Sequence, residues 1–160
     1  MRQKKVRPKR YKEGDWFAVP LQRGGYAFGL LARCGRRGIV LGYFFGPRRP
    51  CLPAVDELQH LTREDAIWVG MVGDLGLIET AWPLLGKGKA WRREEWPLPT
   101  FVREESLTGK KRFVVYSEDT LEELRNVPSS GNVFPTMPRD VLHGYVALEK
   151  RLDRLLPLGE

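Results

Sequence analysis

Gly14-Asp15-Trp16-Phe17-Ala18-Val19-Pro20-Leu21-Gln22-Arg23-Gly24-Gly25-Tyr26-Ala27-Phe28-Gly29-Leu30-Leu31-Ala32-Arg33-Cys34, then Gly35-Arg36-Arg37-Gly38, then Ile39-Val40-Leu41-Gly42-Tyr43-Phe44-Phe45-Gly46 is the stretch that decides the fold. Three apolar runs are divided by two turn signals, Gln22 to Gly25 and Gly35 to Gly38. Runs rich in aromatic and β-branched residues, joined by short Gly-containing turns, predict an antiparallel meander. Alternation places Tyr26, Phe28, Leu30, Ala32 and Cys34 on one face of the second strand, and Ala27, Gly29, Leu31 and Arg33 on the other. The third strand divides Ile39, Leu41, Tyr43 and Phe45 from Val40, Gly42, Phe44 and Gly46. Neither strand alternates between apolar and polar. One face is bulky and the other is small or Gly-bearing. Gly29 and Gly42 inside strands permit a bulge or bend. The expected fold is therefore α+β: a strongly bent antiparallel sheet, or a small partly open β-barrel. Pro20 cannot donate to a ladder and is expected at an edge.

Working outward, Gly46 to Pro53 is proline-rich and reads as an extended connection. Ala54 to Asp65 reads as a short helix with Leu58 and Leu61 inward. Ala66 to Gly73 is a strand, Asp74 to Ala81 a turn of helix, and Trp82-Pro83-Leu84-Leu85-Gly86 an anchor. Thr100 to Arg103 and Arg112 to Ser117 are predicted to pair antiparallel about Gly109. Thr120 to Arg125 reads as a short helix with Leu121 and Leu124 inward, and Asn126 to Pro138 as a loop anchored by Val133, Phe134 and Met137. A final helix is expected from Pro138, with Val141, Leu142, Tyr145, Leu148, Leu152, Leu155 and Leu156 packing against the sheet.

With 160 residues and 42% hydrophobic residues the chain is long enough for one core-bearing domain. The charge is unevenly spread. Residues 1–12 hold Arg2, Lys4, Lys5, Arg7, Lys9, Arg10 and Lys12 and no acid, while the remaining 20 basic residues balance all 20 acids. The domain organisation is thus a basic N-terminal arm, residues 1–12, on a neutral body, residues 13–160. Such an arm can bind nucleic acid, with an affinity that falls steeply with salt. No apolar run is long enough to span a bilayer, and the basic start lacks an apolar h-region, so a cytoplasmic protein without a membrane partner is expected. Cys34 and Cys51 are either a pair in an oxidising compartment or two ordinary cytoplasmic thiols.

Catalytic chemistry is hard to place. His60 and His143 belong to no zinc spacing, and no nucleophile elbow, phosphate loop or dinucleotide fingerprint occurs. The acids come in adjacent pairs, among them Asp56/Glu57 and Glu94/Glu95, and neighbouring strand positions point apart. No catalytic residue, metal ligand or cofactor is assigned, and an enzyme is not expected. Of five tryptophans, Trp68 and Trp82 lie among aliphatic residues and read as core. Trp16, Trp91 and Trp96 have polar neighbours and are expected to be partly exposed. With Arg23, Arg36, Arg48, Arg49 and Arg92 they form the candidate partner-binding set.

Gly14 to Leu21 followed by Gly25-Tyr26-Ala27-Phe28-Gly29 resembles the opening of the immunity protein 26 family, which begins with a Gly-Asp-x-Phe-x-Ile/Val-Pro-Leu strand and a Gly-x-Tyr-x-x-Gly strand. Trp82 to Gly86 and Pro99-Thr100-Phe101 resemble later pieces of the same family, in the same order. The resemblance covers roughly residues 13–120 and leaves out the basic arm and the terminal helix. It implies a bacterial immunity-type protein that binds and blocks a cognate polymorphic toxin by stoichiometric surface complementarity. Inhibitors of nucleases are often acidic. With a neutral body, either the toxin is not a nuclease or the acids gather in space. The alternative reading is a nucleic-acid-binding β-barrel module using the basic arm.

Overall fold

The computed structural model describes residues 10–129 and 137–159. Arg2, Lys4, Lys5, Arg7 and Lys9 of the arm, and Val133 and Phe134, lie outside these residues. Two sheets are present. The larger has six strands in the order β5-β1-β2-β3-β4-β9, formed by Leu84–Lys87, Asp15–Pro20, Tyr26–Cys34, Ile39–Arg49, Trp68–Gly73 and Leu142–His143. All neighbours are antiparallel except β4 and β9. The smaller sheet is β6 (Phe101–Glu104), β7 (Lys111–Tyr116) and β8 (Glu123–Pro128), antiparallel throughout. The sheet is bent and does not close into a barrel.

The missing alternation has a simple cause: both faces of the large sheet are buried. One face, carrying Phe17, Val19, Ala27, Leu31, Val40, Phe44 and Val72, is covered by Leu77, Trp82, Leu148, Leu152 and Leu156. Leu77 belongs to α1 (Leu75–Ile78), and Leu148 and Leu152 to α2 (Tyr145–Leu155). The other face, with Trp16, Ala18, Phe28, Leu30, Leu41, Tyr43, Phe45 and Met71, is covered by Leu58, Trp96, Phe101, Val114 and Leu121. A sheet dry on both sides reads as nearly continuous apolar sequence. Each fully buried Leu of α2 contributes roughly 1.5–3 kcal/mol before entropy losses.

Glycine on the helix-facing side makes room for aromatic rings. Gly29 stands opposite Phe17 in the register, and an added Cβ would lie 2.2 Å from Phe17 Cζ. Gly42 lies under the Phe44 ring and Gly70 under Trp68 in the same way. The rings then run across the sheet: Trp82 stacks on Phe17 at 5.5 Å, Phe17 meets Phe44 edge-on at 5.6 Å, and Phe44 meets Trp68 at 5.4 Å. The β2–β3 pairing shifts register twice, between Tyr26 and Phe28 and again between Leu31 and Arg33, opposite Leu41 and Gly42. The second shift reverses the predicted facing of the last two residues of β2. Arg33 is turned toward Trp96, and Cys34 packs on the helix-facing core. The turn that follows has positive φ at both Arg37 and Gly38, and Ile39 N–H donates to the Arg36 carbonyl, a backbone hand that suits twisted hairpins. Pro20 lies beyond the reach of β5, which pairs only with Asp15 to Phe17. Tyr11, in the basic segment, is buried, and its hydroxyl donates to Asp74 Oδ2 at 2.5 Å. Cys34 and Cys51 are not joined by a disulfide.

Three local expectations are corrected. Ala54 to Asp65 is not one helix but two 3-10 turns, Val55–Glu57 and Arg63–Asp65. Thr62 and Asp65 cap each other and start the second turn afresh; Leu58 is still buried and Leu61 half-buried. Thr120 to Arg125 is a turn leading into β8, not a helix. Leu121 takes a positive φ, and Ser117 N–H donates to the Glu122 carbonyl, which closes the β7–β8 hairpin. Leu121 is buried but Leu124 is 64% exposed on this edge strand. The final helix starts at Tyr145, not Pro138. Before it, Val102 N–H donates to the Pro138 carbonyl and Asp140 N–H to the Val102 carbonyl, and Leu142 and His143 then pair with β4. One extended segment therefore ties the small sheet to the large one, leaving Val141 and Leu142 exposed. Leu155 is also exposed, while Leu148, Leu152 and Leu156 are buried.

Gly29→Ala forces Phe17 off Trp82, and urea denaturation is expected to show a loss of about 1–3 kcal/mol. Gly73→Ala, where an added Cβ meets nothing within 4 Å, is the control and is expected to unfold within about 1 kcal/mol of the parent.

Candidate functional site

The predicted partner-binding residues fall in separate places. Arg23, exposed as expected, and Arg48, which is not, both converge on Asp153 of α2. Arg23 Nε donates to Asp153 Oδ2 at 2.7 Å and Arg48 Nη2 lies 2.8 Å from Asp153 Oδ1. Arg48 also donates to the carbonyls of Gly24 (2.5 Å), Asp153 (3.0 Å) and Leu156 (3.0 Å). Its side chain is only 7% exposed. The residue expected on a rim is thus a buried clamp, because the end of α2 brings a carboxylate and open carbonyls over it. Arg49 pairs with Glu57 at 3.2 Å and lies over the Phe28 ring. Arg36 is exposed in the β2–β3 turn, within 3.9 Å of Glu122.

The tryptophans do come together. Trp16 and Trp96 meet edge-on at 6.1 Å, and Trp96 also sits edge-on to Tyr43 (5.1 Å) and Phe45 (5.9 Å). Against expectation both are buried, at 4% and 6% exposure: Trp16 is a β1 residue on the covered second face of the sheet, and Trp96 turns in beneath the Arg93–Glu95 3-10 turn, whose glutamates turn outward. Trp91 is half-buried and Arg92 exposed. Burial removes Trp16 and Trp96 as stacking surfaces for nucleic acid.

Over this cluster runs a groove of about 490 Å³, lined by Leu61, Thr62, Arg63, Glu64, Glu94, Glu95 and Trp96. A smaller pocket of about 80 Å³ shares Leu61, Glu95 and Trp96 and adds Trp16, Gln59 and Trp91. The Arg93–Glu95 turn that forms one wall is firmly held. Arg33 Nη1 donates to the Trp96 carbonyl at 3.0 Å, and the Tyr43 hydroxyl donates to the Pro97 carbonyl at 2.5 Å. Arg93 pairs with Glu13 at 2.6 Å and donates to the Glu118 carbonyl at 2.8 Å. Glu94 and Glu95 are exposed on this fixed backbone and have no ion-pair partner among the described residues. On the facing wall Glu64 is held below the usual carboxylate range by its own backbone N–H and by Arg63 and Thr62. Sequence reading noted the Glu94/Glu95 pair but not its meeting with Glu64 across a groove, which depends on two 3-10 turns distant in the chain.

Among the described residues no three His, Cys, Asp or Glu side chains stand together so as to hold a metal ion, and no helix is long and apolar enough to cross a membrane.

In architecture this is an α+β protein built on one bent antiparallel sheet, with a carboxylate-lined groove over a tryptophan floor. The chain belongs to the immunity protein 26 family, whose family model matches residues 12–113, more than half of it. No match is found among curated proteins or among solved structures. The matched span contains the whole groove and excludes α2 with its Asp153 clamp.

Burial pushes the Asp153 carboxyl up, but hydrogen bonds from Arg23 and Arg48 outweigh it and hold the group below the usual carboxylate range. A depressed carboxylate stabilises the fold above its unfolded pKa of ~3.9, and that stability is lost as pH falls through the folded value. Asp153→Asn is expected to cost about 3 kcal/mol at neutral pH in urea denaturation, with the gap to the parent closing in acid. Burial likewise pushes the Tyr43 phenol up to about 12, against the pull of Arg33 and Arg63. Its contribution is intact below ~10 and is lost as pH rises through the folded value. Ultraviolet titration should show Tyr43→Phe removing one late-ionising phenol.

Proposed function

We propose that this protein neutralises a cognate polymorphic toxin by forming a one-to-one complex, with the groove as the contact surface. The observation that carries the reading is the groove's position. It lies wholly within the residues matched by the immunity family and presents Glu94 and Glu95 unpaired on a backbone fixed from below. Carboxylates carried on a backbone already fixed before binding leave only side-chain ordering to be met when they complement a basic patch, and they speed encounter with it. The neutral body does not argue against a nucleic-acid-processing toxin, because the acids are gathered locally: Glu64, Glu94 and Glu95 share one groove with a single lining cation, Arg63. A stable complex buries about 1,200–2,000 Å² in total, so the contact would extend past the groove to the half-buried Trp91 and exposed Arg92 on the same turn.

Mechanistically, inhibition here is occlusion. The toxin's basic surface docks on the carboxylates, aliphatic and aromatic groups of the groove exclude water, and the substrate is shut out. No bond changes are required. Arg92 on the rim repels a basic partner that docks out of register, which sharpens specificity.

The test is co-expression with a candidate polymorphic toxin, sought among the genes adjacent to this one. The parent chain should restore growth and co-purify with the toxin. The double charge reversal Glu94→Lys, Glu95→Lys should abolish rescue and weaken binding by at least about 100-fold, while circular dichroism and melting temperature stay at parental values. Full rescue by the folded double variant would reject the groove as the contact surface.

A further inference from the structure

A second charged surface lies outside the family-matched span. Ala147, Lys150, Arg151, Arg154 and Leu155 recur along α2 at the spacing of one helical stripe, and with His143 they line an open cleft of about 440 Å³. The stripe faces away from the buried Leu148 and Leu152. Both acids of α2 are committed elsewhere: Glu149 accepts from Trp82 Nε1 at 2.9 Å, and Asp153 is held by Arg23 and Arg48. Lys150, Arg151 and Arg154 therefore have no ion-pair partner among the described residues. The segments outside the described residues hold a single acid, Glu160. Exposed aliphatic groups of α2 itself adjoin the cations: Leu155, which lines the cleft, and Val146, one turn before Lys150.

We propose that this cleft is a docking site for an acidic protein segment bearing aliphatic side chains. Two features choose this occupant. Three uncompensated cations on one helical stripe, beside an aliphatic margin, match a partner that alternates carboxylates with leucine-like residues. Nucleic acid would call for exposed rings on which bases stack; the one ring in the cleft is His143, which is already packed edge-on against Trp68 at 5.2 Å. The cleft and the groove carry opposite charge and share no residue, so this inference stands or falls apart from the toxin-binding reading.

The experiment uses the full chain and fluorescence anisotropy. The probe is a fluorescein-labelled peptide repeating Leu-Glu-Glu over three helical turns. Comparators are the same peptide with Ser for Leu, a Leu-Lys-Lys repeat and a length-matched oligothymidylate. The cleft predicts that Leu-Glu-Glu binds best and that binding weakens with salt. The triple variant Lys150→Gln, Arg151→Gln, Arg154→Gln should lower its affinity at least about tenfold, with an unchanged melting temperature. Binding that persists in the triple variant belongs to the basic N-terminal segment and overturns the assignment. So does equal binding of the Ser peptide, tighter binding of the oligothymidylate, or no binding at all.

Discussion

A sheet that is apolar on both faces cannot face water on either, and the rest of this protein answers that constraint. The helix-facing side carries aromatic rings laid over Gly29, Gly42 and Gly70, and is closed by Trp82, α1 and α2. The opposite side carries Phe28, Leu30, Leu41 and Phe45, and is closed by the small sheet and the tryptophan-bearing turn. Each cover is then fastened by polar contacts at its edge. Asp153 pins the end of α2 to the β1–β2 turn and to β3 through Arg23 and Arg48. The segment Pro138 to His143 pairs with β6 and then with β4, and Asp140 receives Arg103 and Tyr116 of the small sheet.

The same constraint shapes the groove. Trp96 must be buried to close the second face, and that fixes the short turn before it. With the ring packed against Trp16, Tyr43 and Phe45, and the carbonyls of Trp96 and Pro97 held by Arg33 and Tyr43, the only direction left for Glu94 and Glu95 is outward. Arg33 reaches its place because the bulge in β2 turns it onto this face, where it is buried and paired with Glu118 at 2.6 Å. A packing requirement thus ends in two outward glutamates on a fixed backbone, a partial preorganisation of the kind that binding rewards.

The central meander was legible because its turn residues and apolar runs are local signals. The pairing about Gly109 and the inward Leu148 and Leu152 were legible for the same reason. Most of what failed depended on partners far away in sequence. Leu142 fits a helical stripe, yet β4 offers it an open edge. Leu124 is a different case, since its partner strand is near in sequence. Its i, i+3 spacing with Leu121 mimics a helix, while the positive φ of Leu121 makes a hairpin turn and β7 recruits the stretch as a strand. Arg48 looks like a surface arginine until the carbonyls at the end of α2 close over it. For the candidate site, the bracket Trp91 to Trp96 was visible in sequence, but Trp96, expected to be partly exposed, is buried while Trp91 stays half-buried and the glutamates point outward. Only the fold brings Glu64 opposite them.

The most direct test is hydrogen exchange of the free protein and of the complex proposed with a cognate toxin, read by mass spectrometry. Binding at the groove predicts new protection concentrated in residues 61–64 and 91–96, with α2 and β8 exchanging as in the free chain. Protection confined to α2 or to the β8 edge, with the groove unchanged, would contradict the account.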